Sequence, residues 1–161
     1  MTQINSFGTK NISDVQVFEY SDTLSLPVDL SKYDKSHIGD VVQVGDLLGV
    51  LVTEIAPSAQ DQAKLGQDPM WNPLTKPTWG NNGPGYASVR ISGGVFKLQV
   101  TLTAPGVELG APIYAKPAAN GRMELTNNKT AGTAGLVGYA YSKITGTGAQ
   151  TVPVILARCK E

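Results

Sequence analysis

The chain has 161 residues, in which 13 Lys and Arg balance 13 Asp and Glu, with one histidine and one cysteine. A chain of this length can bury roughly 70% of its unfolded surface without a metal or disulfide staple, and a lone Cys159 excludes an intramolecular disulfide. Cancelling charges without a basic cluster argue against nucleic acid as a partner, since that affinity depends on displacing phosphate counterions with Lys and Arg.

No stretch is apolar for long enough to cross a bilayer as a helix, and "MTQINSFGTKNISD" at the start lacks the apolar centre of a signal peptide. The expectation is therefore a protein without a membrane partner, made and folded in a reducing cytoplasm. Gly (18) and Pro (10) punctuate the chain throughout, and the short apolar runs between them are rich in Val, Ile, Thr and Tyr. With no dozen-residue stretch of 3.6 periodicity, the pattern predicts an all-β fold.

In chain order, residues Met1–Asp14 are polar and aperiodic, and two readings stand: a frayed terminus, or an arm that orders against a partner. Strands are then predicted at Val15–Tyr20, Val41–Val44, Leu47–Ile55, Ala87–Ile91, Val95–Leu102, Pro112–Lys116, Arg122–Thr126, Gly135–Tyr141 and Thr151–Leu156. In Val95–Leu102, Phe96, Leu98, Val100 and Leu102 alternate with Lys97, Gln99 and Thr101, which predicts a strand with one wet face. The run "LLGVLVTEI" does not alternate, so it is expected to be covered on both faces, once by the core and again by something such as a neighbouring subunit. Pro153, unable to donate a ladder hydrogen bond, predicts an edge position for the last strand.

Residues 56–86 form a long loop holding five of the ten prolines and both tryptophans. Ser58 followed by Asp61 predicts a capped short helix through Leu65. Trp71 and Trp79 either pack the loop onto its own barrel or stand at an intermolecular contact. "VQVGDLLGVLV" and "VELGAPIYA" echo one another weakly, as a duplicated half-barrel or one turn type used twice.

The stretch "PGVELGAPIYAKPAANGRMELTNN", Pro105–Asn128, reads as a hairpin. A three-residue Ala119-Asn120-Gly121 loop sets Ala118 opposite Arg122, Pro117 opposite Met123, Lys116 opposite Glu124 and Ala115 opposite Leu125. That register pairs the charges on one face and the apolar residues on the other, with Gly121 predicted at positive φ.

Reactive patterns are sparse. His37, the one histidine, lies in the polar run "SKYDKSHIGD" and reads as a surface or turn residue, without a nucleophile elbow to accompany it. One His and a terminal Cys build no zinc site, and "DLSKYDKSHIGD" lacks calcium-loop spacing. "VGDLLG" and "SGG" precede no helix that could present an N-terminus to phosphate. Neither catalysis, a metal nor a cofactor is expected.

The order of pieces carries more information than any one of them. Gly110–Tyr114 followed by a turn, Gly121–Thr126 with its "GRMELT", Gly135–Ala140 as "GLVGYA" and Val152–Leu156 as a closing "VPVIL" occur in sequence. This set, covering roughly Val41–Arg158 apart from the tryptophan-bearing loop, resembles the small capsid decoration, or cement, proteins of tailed bacteriophages. The resemblance implies a small antiparallel β-barrel or β-tulip-like domain over residues 15–161, behind an extended N-terminal arm over 1–14. It implies a homotrimer on the exterior of the virion capsid, bound to the major capsid protein at three-fold or quasi-three-fold positions, with no enzymatic activity. Candidate capsid contacts are Gln3, Ile4, Asn5, Phe7, Lys10 and Ile12 on the arm, and Trp71, Trp79 and Tyr86 on the loop. Two other readings are a carbohydrate-binding module that stacks sugars on those three loop aromatics, and a trimeric β hydrolase with its site between subunits.

Overall fold

The computed structural model describes residues 23–33, 36–65, 67, 79–118 and 122–157. Its first half contains β1 (Thr23–Pro27), α1 (Leu30–Tyr33), β2 (Val41–Val44), β3 (Leu47–Leu51), α2 (Ala59–Leu65) and β4 (Tyr86–Arg90). The second half contains β5 (Val95–Leu102), β6 (Gly106–Val107), β7 (Pro112–Pro117), β8 (Met123–Thr126), β9 (Gly135–Ala140), β10 (Ile144–Thr145) and β11 (Gly148–Leu156). The fold is all-β, as the composition requires.

Five strands close into a barrel in the order β11-β5-β8-β7-β9. Each seam is antiparallel except β5–β8, where Val100 and Thr101 run parallel to Leu125 and Thr126. The alternation of β5 holds as read: Leu98, Val100 and Leu102 are buried inside the barrel, and Val95, Lys97, Gln99 and Thr101 face out. The hairpin register holds as well. Ala115 lies opposite Leu125, Lys116 opposite Glu124 and Pro117 opposite Met123, with the Lys116 ammonium 2.9 Å from the Glu124 carboxylate. Ala118 N–H donates to the Arg122 carbonyl at 2.8 Å, which continues the ladder to the mouth of a three-residue loop. Gly121 itself lies outside the described residues, as do the Val15–Tyr20 strand, the arm contacts Gln3, Ile4, Asn5, Phe7, Lys10 and Ile12, Trp71 and Cys159.

Beside the barrel stands an open sheet in the order β1-β4-β3-β2, which a barrel alone does not contain. Here β3 is covered on both faces, and both covers come from the chain itself rather than from a neighbouring subunit. Leu48 and Val50, with Val41 of β2, enter the barrel core. Leu51 and Val42 enter a second core with Val28, Tyr33, Ala87 and Val89. The helix α1 lies over this second core, and the buried Tyr33 hydroxyl accepts the Gln43 N–H at 3.1 Å, tying the helix to β2. Asp29 caps α1 by accepting the Ser31 N–H and hydroxyl, which holds its carboxyl below the usual range.

Three further expectations are corrected. The strand starting at Leu47 ends at Leu51 rather than Ile55: Val52 N–H still donates to the Ser88 carbonyl in register, but Ser88 N–H goes to the Thr53 hydroxyl instead of returning to the Val52 backbone. Pro153 is not on an edge, since β11 is flanked by β5 and β9. Its missing donor falls where the β9 ladder stops: Tyr141 N–H donates to the Pro153 carbonyl at 2.7 Å, nothing can be returned, and β9 ends at Ala140. Strands β1, β6 and β10 were not foreseen. The sequence echo is one turn glycine used twice: Gly45 and Gly110 both have positive φ, 60° and 79°, but Gly45 joins the paired β2 and β3 while Gly110 follows β6, which pairs with β10.

Candidate contact surface

Outside the barrel, side chains stack in rows that cross the strands. In the first row Ile155 of β11 lies opposite Tyr139 of β9 and Val95 of β5, and Tyr139 lies opposite Pro112 of β7. In the next, Pro153 lies opposite Lys97 and receives the Tyr141 N–H. Val95 (46% exposed), Tyr139 (40%), Tyr141 (58%) and Ile155 (39%) are thus cross-strand neighbours forming one apolar band, not scattered surface residues. Farther along the same strands the wall turns polar, with Gln99 donating to the Thr151 hydroxyl at 2.7 Å. The band therefore occupies one part of an otherwise ordinary wet face.

The backbone beneath this band is held tightly. A Cβ added to Gly138 would lie 2.1 Å from the Ile155 carbonyl oxygen, so β9 and β11 meet at a distance only glycine permits. Gly110 N–H donates to the Ala140 carbonyl, which places the turn carrying the exposed Leu109 beside the Tyr139–Tyr141 segment. A concavity of about 400 Å³ adjoins the band at Pro112, lined also by Val107, Ala111, Asn127 and Ile144. At its rim Lys143 and Glu108 pair at 2.8 Å.

The two described ends of the long loop are fixed differently. Ser58 accepts the Asp61 N–H at 3.2 Å and donates to its carboxylate at 2.7 Å, the capping arrangement read from the sequence. That hydroxyl first, and Lys64 second, hold the Asp61 carboxyl below its ordinary range. At the far end Asn82 acts as a polar clamp. Its carboxamide oxygen accepts from Ser25, and its nitrogen donates to Thr53, Ser88 and the Trp79 carbonyl at 3.1, 3.1 and 2.6 Å. These bonds hold residues 79–85 against the open sheet. Of the three loop aromatics, Trp79 is half-buried at this clamp, Tyr86 is exposed at the start of β4, and Trp71 lies outside the described residues. Trp79 and Tyr86 are set on the open sheet, whereas the apolar band is on the barrel.

His37 is on the surface, its side chain 73% exposed and its Nδ1 3.5 Å from Glu54. Its backbone N–H donates to the Asp40 carboxylate, which also receives the Arg122 guanidinium and so joins the hairpin to the approach to β2. Among the described residues, no three His, Cys, Asp or Glu are grouped so as to hold a metal ion, and no helix is long and apolar enough to cross a membrane.

Val95, Tyr139, Tyr141 and Ile155 were not singled out from the sequence. The "GYAY" segment held part of the signal, because a buried Ala140 between two tyrosines sends both rings outward. Their grouping depends on strand order across three seams, which local sequence does not encode. Comparison with protein-family models, with curated proteins and with solved structures returns no match.

Proposed function

We propose that this chain is a structural capsid decoration protein, a homotrimer that binds the outer surface of a phage head and clamps neighbouring major capsid subunits. The observation that carries the reading is the apolar band on the barrel wall. A broad aromatic and aliphatic strip on a convex, rigid sheet suits another protein face, whereas small-molecule sites are concave and enclose their ligands. The ordered motifs shared with the cement proteins point the same way. In this reading the barrel supplies fixed geometry, and the contacts to the capsid come from the arm, through Gln3, Ile4, Asn5, Phe7, Lys10 and Ile12, and from the loop aromatics Trp71, Trp79 and Tyr86.

Trimerisation gives such a protein its grip. Three modest contacts made from one rigid body bind far more tightly than one, because the second and third are intramolecular. If the site is created when the shell expands, binding also favours the expanded shell over its precursor. Cosedimentation with expanded heads of the phage that encodes the chain tests the reading. The full-length protein is expected to pellet with expanded heads and not with unexpanded ones, and a chain lacking residues 1–14 is expected to stay in the supernatant while retaining its β-sheet circular dichroism. A full-length chain that never pellets with expanded heads would sink the proposal; undiminished pelleting of the shortened chain would remove the arm from it.

A further inference from the structure

The apolar band has a charge beside it. Lys97 projects from the same face of β5 as Val95, opposite Pro153, and has no ion-pair partner among the described residues. Elsewhere on the barrel Lys116 pairs with Glu124, Lys143 with Glu108 and Arg122 with Asp40, while Lys129, on the turn between β8 and β9 and away from the band's strand rows, has no ion pair among the described residues. The band thus offers an apolar strip with one unmatched positive charge at its margin.

A second surface has the opposite character. The β2–β3 connection is a two-residue turn, Gly45-Asp46, with Val44 opposite Leu47 and Gly45 at a φ of 60°. Positive φ at the first central position alone is the type II′ hairpin turn, whose twist matches the strands it joins and makes a rigid tip. Leu47 is 41% exposed on a strand whose other four residues are buried, and Asp46 beside it is exposed with no ion-pair partner among the described residues. The tip presents an aliphatic side chain and an unmatched negative charge next to each other.

We propose that the band receives the β2–β3 turn of a second copy of the chain, with Leu47 against the Val95–Ile155–Tyr139 row and Asp46 against Lys97. The two surfaces share no residue and belong to different sheets, so the contact is heterologous, and the trimer reading requires it to close head to tail into a ring of three. A two-fold contact centred on the band would instead bring Lys97 towards its own copy, which like-charge repulsion disfavours. In a ring each copy uses both its band and its turn and is held at two interfaces, whereas a two-fold contact on the band would leave the turn unused. The inference rests on the trimer reading above and names the surfaces that hold the trimer together.

Charge reversal tests it, because both residues are exposed and neither supports the fold. Sedimentation equilibrium should give the wild-type chain three times its 17.0 kDa mass. Lys97→Glu and Asp46→Lys should each weaken association about tenfold, and the double variant should return to within about threefold of wild type. Unchanged urea midpoints for the monomeric forms would show that folding is intact. A wild-type trimer whose association neither single variant weakens, or that the double variant fails to restore, overturns the proposed interface and leaves the trimer standing. A wild-type chain that stays monomeric at every concentration overturns both.

Discussion

In the barrel, β5, β7, β8, β9 and β11 each have a strand on both sides, and long strands such as β5 bury one face and turn the other outward. In the open sheet, β3 buries both faces, while β1 and β2 stand at the margins. The two regions are joined through Val41, Leu48 and Val50, which leave the sheet to fill the barrel core. The comparison separates two roles. A closed barrel needs nothing from its outer wall to stay folded, so that wall is free to carry an apolar band. The sheet uses most of its surface internally, to hold α1 and the start and end of the long loop, and leaves its β2–β3 tip and Tyr86 exposed.

If the cores are as continuous as these three residues suggest, damage to either should unfold both. Leu51→Ala, in the second core at 0% exposure, should cost about 3–4 kcal/mol and lower the midpoint of a single transition. A separate early transition, seen by fluorescence but not by far-ultraviolet dichroism, would show that the sheet melts on its own. Gly138→Ala attacks the barrel instead. Its methyl carbon would lie 2.1 Å from the Ile155 carbonyl oxygen, both on backbone that cannot yield without opening the β9–β11 seam, so a loss of about 2–3 kcal/mol in urea titration is expected. A neutral result would mean that the seam is looser than its geometry.

Smaller changes separate the regions more finely. Asn82→Ala removes the clamp shared by Ser25, Thr53, Ser88 and the Trp79 carbonyl, and should cost about 1–2 kcal/mol while speeding proteolysis near Trp79. Lys116→Ala breaks the hairpin ion pair, whose partners are 35% and 53% exposed, and should cost less than about 1 kcal/mol. A loss as large as that of Leu51→Ala would contradict the assignment of this pair to register rather than stability.

Legibility in the sequence followed the same division. The β7–β8 register could be read because Lys116–Glu124 and Ala115–Leu125 sort correctly in only one pairing. The Ser58–Asp61 cap could be read because it spans three residues. The open sheet could not, because "VVQV" and "LLGVL" carry no alternation to show which core each residue enters. Pro153 misled because edge position is the usual reason for a proline in a strand, and the sequence does not reveal that β9 stops opposite it. The apolar band was hidden for a related reason: Val95, Tyr139 and Ile155 are far apart in sequence and meet only through barrel closure. The aromatics that did stand out, Trp79 and Tyr86, sit on the open sheet, and Trp79 is half-buried beside the clamp.

The proposed decoration role is tested most directly by electron cryomicroscopy of phage heads assembled with and without this chain. The account predicts trimeric density on the outside of the expanded shell, over three-fold or quasi-three-fold positions, that disappears from heads made without this chain and accepts the barrel with its β2–β3 turns directed at neighbouring barrels. Heads whose outer surface is the same with and without the chain would contradict it.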